Sequence, residues 1–346
     1  MSDIHIRIEG RAGRITLTRE KALNALSYDM CLAIDAALKD WAKDDNVALV
    51  VFDAAGDKAF CAGGDIAELY ETGTKGDFTY GRTFWRDEYR MNARIFEYPK
   101  PVVSFLQGFT MGGGVGIGCH GTHRVVGNSS QLSMPECGIG LVPDVGGSLL
   151  LSLAPGRLGE YLGTTGHRMT AGDAVYAGFA DLYIPEDHWP ALIATLAETG
   201  DVAALEAAAQ QAPDSALKAM QADIDATFAG ETSADILTAL KSRDDEFAAG
   251  CLKALSRGSP LSFATTVEMI HRLRATTTTM RSALDLEYRF TYRAMEKGDL
   301  LEGVRALIID KDKSPKWQYA DGPVPAVAVS QMLQPLGRDA LSFEED

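Results

Sequence analysis

The chain has 346 residues, of which 46% are apolar and 23% are charged, and this composition excludes a disordered protein. Its 33 basic and 48 acidic residues give a net charge of −15. Such a negative field repels phosphate backbones and anionic lipids, so we expect neither nucleic acid nor a membrane surface as a partner. The length predicts two domains, or one large domain with an appendage.

The cysteines and the N-terminus indicate a reducing compartment. The five cysteines are scattered and contain no C-x-x-C pair, so neither a metal site nor a disulfide framework is expected. The first residues lack the basic and apolar segments of a signal peptide, and we therefore expect a cytoplasmic location. An uncharged segment from Pro101 to His123 is long enough to cross a bilayer. Its seven glycines instead favour a glycine-rich buried turn.

The first predicted elements are two strands and a helix. Residues 4–9 alternate apolar and polar side chains, as a half-buried strand does, and residues 13–18 are the expected partner strand. Residues 27–44 carry apolar side chains three and four positions apart, which is typical of an amphipathic helix. Either Ser27 or Asp29 is suited to cap its start.

Three strand-like segments follow, and each leads into a turn. The first lies within a continuous apolar run, as expected for a strand that is covered on both faces. The first two turns are rich in glycine and precede predicted helices. The strand and turn pairs are residues 50–52 and 61–65, residues 102–105 and 110–114, and residues 124–126 and 133–136.

The second half of the chain is predicted to be mostly helical. Residues 189–257 are rich in Ala, Leu, Glu, Asp and Lys and show little strand pattern, and residues 260–275 and 279–297 also fit helices. We therefore predict a core over residues 1–188 and a mostly helical C-terminal region over residues 189–346.

The two glycine turns, at residues 61–65 and 110–114, present unobstructed backbone N–H groups. Each turn lies at a predicted helix start, where the helix dipole adds partial positive charge. Two such N–H groups aimed at one point would form an oxyanion hole. For either turn considered alone, close packing explains the glycines as well as an oxyanion hole does.

Two acidic residues, Glu136 and Asp144, lie in a stretch that is otherwise apolar or glycine. Carboxylates in apolar surroundings have raised pKa values and suit acid–base or nucleophilic chemistry. Two solvated loop acids are an equally supported alternative at this point.

Two other enzymatic patterns are not supported. Residues 116–121 match G-x-G-x-x-G, but no acid ends the following strand, so we reject a dinucleotide site. The chain has no G-x-S-x-G motif, which leaves a serine hydrolase of the α/β type unsupported.

Together these motifs resemble the crotonase, or enoyl-CoA hydratase/isomerase, superfamily, and most of all its 3-hydroxyisobutyryl-CoA hydrolase branch. The resemblance covers nearly the whole chain. It implies an α/β fold in which a crotonase-like spiral of ββα units precedes a helical C-terminal region. The segments that carry it are KAFCAGGDI at 58–66, GFTMGGGVG at 108–116, MPECGIGLVPDVGG at 134–147, EGVRA at 302–306 and DKDKSPKW at 310–317.

The resemblance also implies roles for individual residues. The backbone N–H groups of Gly64 and Gly113 would hold the thioester oxygen in an oxyanion hole. Glu136 and Asp144 would be the catalytic carboxylates. Glu88 would contact the acyl group, although a solvated helix acid is an equal alternative. The turn after residue 61 would also bind substrate by lining the CoA site, through Ala62, Gly63, Asp65 and Ile66.

The activity that the resemblance implies is hydrolysis of an acyl-CoA thioester, with 3-hydroxyisobutyryl-CoA of valine catabolism as the substrate. Hydratases of the superfamily use two glutamates, at positions that correspond to Gly116 and Glu136. Because Gly116 has no side chain and Asp144 supplies a carboxylate elsewhere, hydrolysis is favoured over hydration.

Two alternatives stay open, namely an enoyl-CoA hydratase/isomerase and a catalytically silent CoA-binding protein. Acyl-CoA is the expected partner in either enzymatic case, and no cofactor is expected because CoA is part of the substrate. The sequence leaves the oligomeric state open, with a homo-oligomer as one alternative.

Overall fold

A computed structural model describes residues 3–343, and its first elements match the predicted ones. Ile4–Glu9 (β1) pairs antiparallel with Ala12–Leu17 (β2). The predicted helix is Tyr28–Ala42 (α1), and the Ser27 side chain caps it by accepting a hydrogen bond from a backbone N–H of the first turn. The two strands, the helix and the Ser27 cap are thus confirmed.

The three predicted strand and turn pairs each contain a second, short strand before the turn. These second strands have three residues, which is too short to show a two-residue alternation in the sequence. The result is an α/β fold with repeated ββ units. In chain order the elements are β3 (Leu49–Ala54), β4 (Ala59–Cys61), α2 (Ala67–Gly73), α3 (Thr79–Phe96), β5 (Val102–Phe105), β6 (Phe109–Met111), α4 (Gly113–Gly118), β7 (His123–Val126), β8 (Gln131–Ser133) and a 3₁₀ turn (Glu136–Ile139).

Nearly all later elements are helical, which confirms the predicted helices near residues 260–275 and 279–297. Within residues 3–343, no helix is long and apolar enough to cross a membrane. The later elements are α5 (Gly147–Leu153), α6 (Leu158–Thr165), α7 (Ala171–Ala177), β9 (Leu182–Tyr183), α8 (Trp189–Thr199), α9 (Ala203–Ala208), α10 (Ala216–Thr227), α11 (Ser233–Lys241), α12 (Glu246–Leu255), α13 (Pro260–Arg274), α14 (Met280–Lys297), α15 (Leu300–Val304), a π turn (Arg305–Ile309) and α16 (Ala326–Met332).

The described strands form two sheets. The larger sheet has the order β1-β2-β3-β5-β7-β9, and only its β1–β2 pair is antiparallel. The smaller sheet has the order β4-β6-β8 and is parallel throughout. Parallel neighbours have their carboxyl ends at the same edge of a sheet. The two glycine turns, which follow β4 and β6, therefore lie at one edge. The uncharged segment 101–123 folds into β5, β6 and α4, in agreement with the predicted glycine-rich buried turn.

The chain folds as two compact units, each built from three separate segments. We call the first, which holds both sheets, the sheet unit, and the second the helical unit. In the helical unit, α13 packs against α5 and α6 and is buried along most of its length. The sheet unit comprises Met1–Asp65, Arg90–Ser133 and Arg168–Ala219, and the helical unit comprises Ile66–Tyr89, Met134–His167 and Met220–Asp346.

This grouping differs from the predicted boundary after residue 188. Helix α8 begins at Trp189 and packs on the larger sheet with Ile193 and Leu196, so it belongs to the sheet unit. The rings of Trp189 and Phe105 lie 5.3 Å apart. Burial of this apolar face against the sheet joins α8 to strands that precede it in the chain.

Candidate active site

The two glycine turns approach each other closely within the sheet unit. Cys61 at the end of β4 lies opposite Thr110 of β6. A Cβ atom on Gly114 would lie 2.1 Å from the carbonyl oxygen of Cys61, so only glycine permits this approach. Close packing thus accounts for Gly114, and the other glycines of the turns need a separate explanation.

Gly64 has a backbone N–H that its nearest strand pairing does not use. The N–H of Leu26 donates to the carbonyl of Gly63 at 2.9 Å, and the N–H of Asp65 donates to the carbonyl of Leu26 at 2.8 Å. This pattern leaves the Gly64 N–H outside the bridge. A Cβ atom on Gly64 would meet no described atom within 4 Å, so open space borders this residue. The Gly64 N–H is therefore suited to a ligand.

Gly113 is the first residue of α4, where backbone N–H groups have no acceptor within the helix. The N–H groups of Val115 and Gly116 both donate to the carbonyl of Gly112, at 2.8 and 3.1 Å. Gly112 has a φ of 49°, which turns the chain sharply from β6 into the helix. Gly113 thus has the donor that the predicted role requires. The oxyanion hole itself stays a prediction.

The turn after β4 also carries the residues predicted to line the CoA site. The N–H of Ala62 donates to the carbonyl of Leu23 at 3.0 Å, and Arg19 Nη2 donates to a carboxylate oxygen of Asp65 at 3.0 Å. Through these contacts, residues of the sheet unit hold the turn in place. The CoA contacts stay predictions for Ala62, Gly63, Asp65 and Ile66.

The helical unit buries four acids whose charges interact, namely Glu88, Glu136, Asp144 and Glu287, with exposed fractions of 0 to 5%. Burial is the largest cause that raises the pKa of each carboxyl group. The negative charges of Asp144 and Glu287 raise the pKa values of Glu88 and Glu136 further. We call these four residues the carboxylate cluster. Within residues 3–343, no group of three or more His, Cys, Asp or Glu side chains is arranged to hold a metal ion.

Asp144 is held by a tyrosine. The hydroxyl of Tyr89 donates to Asp144 Oδ2 at 2.7 Å. Burial raises the pKa of Asp144 to about 7, while the Tyr89 hydrogen bond acts to lower it. Near neutral pH Asp144 therefore exists in both protonation states, as a group that transfers protons must. With only 4% of its surface exposed, the alternative of a solvated loop acid is wrong.

Glu136 begins the 3₁₀ turn after β8, and it too is buried rather than solvated. Its Oε2 atom has no hydrogen-bond partner among the described residues. Burial, and then the charge of Asp144, raise the pKa of Glu136 well above its ordinary value. A buried carboxylate oxygen without a partner is costly, and it is available to a ligand or a reacting group.

Glu88 lies on α3 and is also buried, so the alternative of a solvated helix acid is wrong. Burial raises its pKa well above the ordinary value, and the charges of Asp144 and Glu287 act in the same direction. A raised pKa favours the neutral form of a carboxyl group, and that form can donate a hydrogen bond to an oxygen. This property suits the predicted contact with the acyl group, which stays a prediction.

The sequence interpretation missed two members of the site, Tyr89 and Glu287. A signal for Glu287 was present, because it lies three and four positions from apolar residues of the stripe in α14, where a charged residue is rare. Its carboxylate accepts hydrogen bonds from the backbone N–H groups of Gly146 and Ser148, at 2.9 and 3.1 Å, and from the Ser148 hydroxyl. Tyr89 directly follows Glu88, but nothing local shows that its hydroxyl reaches Asp144.

The chain matches a family model described as Enoyl-CoA hydratase/isomerase over residues 12–333. The chain belongs to the enoyl-CoA hydratase/isomerase family. Membership confirms the resemblance that the glycine and acidic motifs carry. The ββ units of the sheet unit and the many helices agree with the crotonase-like fold.

Three similar proteins show how this family member relates to others. It is 38% identical to "3-hydroxyisobutyryl-CoA hydrolase, mitochondrial" from Rattus norvegicus over 331 residues, which are 92% of this chain and 85% of the relative. A solved structure of an enoyl-CoA hydratase from Rhodobacter sphaeroides is 56% identical, with a TM-score of 0.95 over 99% of this chain and 100% of that one. A carnitinyl-CoA dehydratase from Mycobacterium thermoresistibile is 38% identical, with a TM-score of 0.93 and full coverage of both chains.

These relatives carry different names for their activities, although their folds agree. The rat relative is named as a mitochondrial protein, and the predicted cytoplasmic location of this family member stays a prediction. Which of the named reactions the chain performs must therefore be argued from its own residues.

Proposed function

We propose that the chain is an acyl-CoA thioester hydrolase whose substrate is 3-hydroxyisobutyryl-CoA of valine catabolism. One observation carries the proposal. Asp144 is a buried carboxylate with a pKa of about 7, whereas Gly116, which by the family resemblance corresponds to the first hydratase glutamate, has no side chain. Similarity to the rat hydrolase over 92% of the chain supports the same conclusion.

The proposed catalysis begins with the two backbone donors. The N–H groups of Gly64 and Gly113 would hold the thioester oxygen and stabilise the negative charge that develops on it. Loss of one donor of this kind typically costs about 2.7–4 kcal/mol of transition-state stabilisation. The open space beside Gly64 and the unpaired position of Gly113 in the first turn of α4 support this assignment.

Two routes lead from the bound thioester to products, and both use Glu136. In the first, a carboxylate oxygen of Glu136 bonds to the acyl carbon as the C–S bond breaks, which gives a mixed anhydride that water then splits. In the second, Glu136 takes a proton from the attacking water. Either route consumes one water and yields the free acid and the CoA thiol. In the first route the thiolate leaves before the water reacts and is protonated when the water that splits the anhydride gives up a proton, and in the second route it takes up the proton that Glu136 removed from the water.

Asp144 would position the water or the hydroxyl of the acyl group. Its hydrogen bond with Tyr89 keeps one carboxylate oxygen fixed at 2.7 Å from the phenol oxygen, so the carboxylate is held in one orientation for this contact. The reaction as proposed uses only the acyl-CoA and water, with CoA as part of the substrate.

A second candidate function is hydration of an enoyl-CoA. The observation that favours it is the 56% identity to a solved protein named as an enoyl-CoA hydratase. Hydration adds water across a C=C bond and leaves the thioester intact. Release of free thiol therefore separates the two reactions.

The test compares thiol release from 3-hydroxyisobutyryl-CoA with hydration of crotonyl-CoA by the wild-type enzyme. We expect efficient thiol release and poor hydration, and a decrease in thiol release of about 10²–10⁴-fold in Asp144→Asn. Efficient hydration without thiol release would overturn the hydrolase proposal in favour of the hydratase. Binding of CoA without turnover of either substrate would instead identify a catalytically silent CoA-binding protein.

A further inference from the structure

Glu287 is a buried acid that the proposed mechanism does not use. It lies on α14 and its side chain is fully buried. A buried carboxylate is costly unless donors surround it. Here the donors are the backbone N–H groups of Gly146 and Ser148 and the Ser148 hydroxyl. Both oxygens of Glu287 thus act as acceptors, and these donors lower its pKa against the larger effect of burial, which raises that pKa to about 8.

One of these donors, Gly146, belongs to the turn that begins at Asp144, and the other two are on Ser148, in the first turn of α5 directly after it. The carbonyl of Asp144 accepts a hydrogen bond from the N–H of Gly147 at 2.7 Å, which closes the turn. Within it, Val145 has a φ of 53° and Gly146 a φ of 81°. A β-branched residue such as valine rarely adopts a positive φ, so the surrounding structure must hold it there. The carboxylate of Glu287 accepts hydrogen bonds from Gly146 and Ser148, which follow Val145 in the chain.

Asp144 is therefore held at two points in the helical unit. Tyr89 fixes its side chain through one hydrogen bond, and Glu287 fixes the backbone that follows it. The described hydrogen bonds of Glu287 go to the turn and not to the Asp144 carboxylate. Glu287 would thus act through Asp144 rather than on the substrate.

We propose that Glu287 is a positioning residue that holds the left-handed turn carrying Asp144, an assignment that rests on the proposed hydrolase reaction. Its consequence is specific. Loss of Glu287 should misplace Asp144 and slow the chemical step, while the backbone donors of the sheet unit continue to bind the thioester. Turnover should then fall without a matching change in the affinity for substrate.

The test measures thiol release from 3-hydroxyisobutyryl-CoA by the full chain carrying Glu287→Gln. An amide nitrogen cannot accept the N–H donors, so we expect kcat to fall about 10²-fold, as misplacement of a catalytic group can cause. KM should stay within about twofold, because uniform binding is retained. Glu287→Asp, which keeps the acceptors, should restore part of kcat.

A double-mutant cycle with Asp144→Asn distinguishes positioning from general damage. If Glu287 acts through Asp144, then Glu287→Gln should cost little once Asp144 is already Asn. If the fold-decreases in kcat caused by the two single substitutions multiply in the double mutant, the substitutions act independently and the proposal is overturned. The matched control is Asp173→Asn, because Asp173 is a buried acid that anchors another turn by accepting from Leu217 N at 3.0 Å and from Ser215 Oγ at 2.8 Å. It should leave kcat and KM unchanged.

Ser148→Ala keeps the proposal testable if Glu287→Gln fails to fold. It removes only the hydroxyl donor to Glu287, and we expect a smaller fall in kcat that again vanishes in the Asp144→Asn background. If the wild-type enzyme releases thiol and a folded Glu287→Gln protein has the same kcat, then the positioning role of Glu287 is overturned but the hydrolase reaction is not. Absence of thiol release by the wild-type enzyme would overturn the hydrolase reaction, and this assignment with it.

Discussion

The sheet unit and the helical unit contribute different chemistry. The candidate residues of the sheet unit, Gly64 and Gly113, offer backbone N–H groups at the edge of a small parallel sheet. The candidate residues of the helical unit are buried acids whose pKa values are raised by burial and by one another. The backbone N–H groups are donors that do not titrate, whereas carboxyl groups exchange protons.

Because of this difference, we expect substitutions in the two units to change the pH dependence of the rate differently. A backbone donor does not change its protonation between pH 5 and pH 9, so its loss should lower the rate equally at every pH in that range. Asp144, with a pKa of about 7, changes protonation near neutral pH, so changes around it should move the pH dependence of the rate and of the folding stability. Substitutions in one unit therefore test the N–H donors, and substitutions in the other test the buried acids.

Glu136→Gln should have the largest effect. The amide keeps the shape of the side chain but is a poor base and nucleophile, so we expect kcat to fall by about 10³-fold. Steady-state thiol release measures the loss, and circular dichroism shows that the fold is retained. If the variant keeps more than about a tenth of wild-type turnover, the activation barrier has risen by less than about 1.4 kcal/mol, and the assignment of Glu136 is refuted.

Gly113→Pro should lower kcat by about 10²–10³-fold through the backbone of the sheet unit. Proline lacks the N–H and is tolerated at the first position of a helix, which is where Gly113 lies. Gly113→Ala is the matched control, since it adds a Cβ atom but keeps the N–H. We expect the loss in the proline variant to be the same across the pH–rate profile. Equal losses in the alanine and proline variants would point to sterics and exclude the N–H as a donor.

Part of this organisation could be predicted from the sequence, and the reason lies in how local each signal is. The glycine turns and the acids of residues 134–147 are visible because each motif is contiguous. The short strands β4, β6 and β8 are not, because three residues cannot display a period. The contact between Gly146 and Glu287 joins residues 141 positions apart, and no local pattern specifies such a pair.

The division into units could not be predicted for a related reason. Each unit is assembled from three chain segments, whereas composition changes only along the sequence. Helix α8 looks like the start of a helical region, yet its Trp189 ring packs against Phe105 of the larger sheet. Burial of its apolar face, rather than its position in the chain, decides its unit.

Tyr89→Phe should have a moderate effect that depends on pH. The Tyr89 hydroxyl lowers the pKa of Asp144 by donating to it, so its removal should raise that pKa above about 7. We expect kcat at pH 7 to fall up to about tenfold, in line with the loss of one hydrogen bond. The acid limb of the kcat profile should move to higher pH.

Tyr98→Phe is the matched control for this prediction. Tyr98 is a buried tyrosine of the sheet unit whose hydroxyl donates to the carbonyl of Leu38 at 2.8 Å. Its loss should lower stability to a similar extent and leave the pH profile unchanged. An unchanged acid limb in Tyr89→Phe would show that this hydroxyl does not control Asp144.

The smallest effect concerns folding stability, and Asp144 and Asp173 should show it with opposite signs. Burial raises the pKa of Asp144 from 3.8 to about 7, so between these values the folded chain binds more protons than the unfolded chain. The stability that this group contributes is therefore full below about pH 4 and is lost as the pH rises through about 7. Asp173 is the converse case, because backbone and side-chain donors outweigh burial and lower its pKa, so its contribution is present at neutral pH and is lost as the pH falls.

Thermal unfolding of the wild type, Asp144→Asn and Asp173→Asn at about pH 5 and about pH 8 measures this contrast. Relative to the wild type, Asp144→Asn should gain stability between the two pH values, by up to a few kcal/mol or a few degrees in the unfolding midpoint. Asp173→Asn should instead be less stable than the wild type by a similar margin at both pH values, because above the ordinary pKa of 3.8 Asp173 is ionised in the folded and in the unfolded chain. That margin should shrink only in a further measurement at about pH 3. Because Asp144→Asn is also expected to lose activity, a gain in stability at the higher pH would mean that the carboxylate is kept at the expense of the fold. A difference between Asp144→Asn and the wild type that did not change with pH would show that Asp144 titrates normally, and the hydrolase argument that rests on its raised pKa would fail.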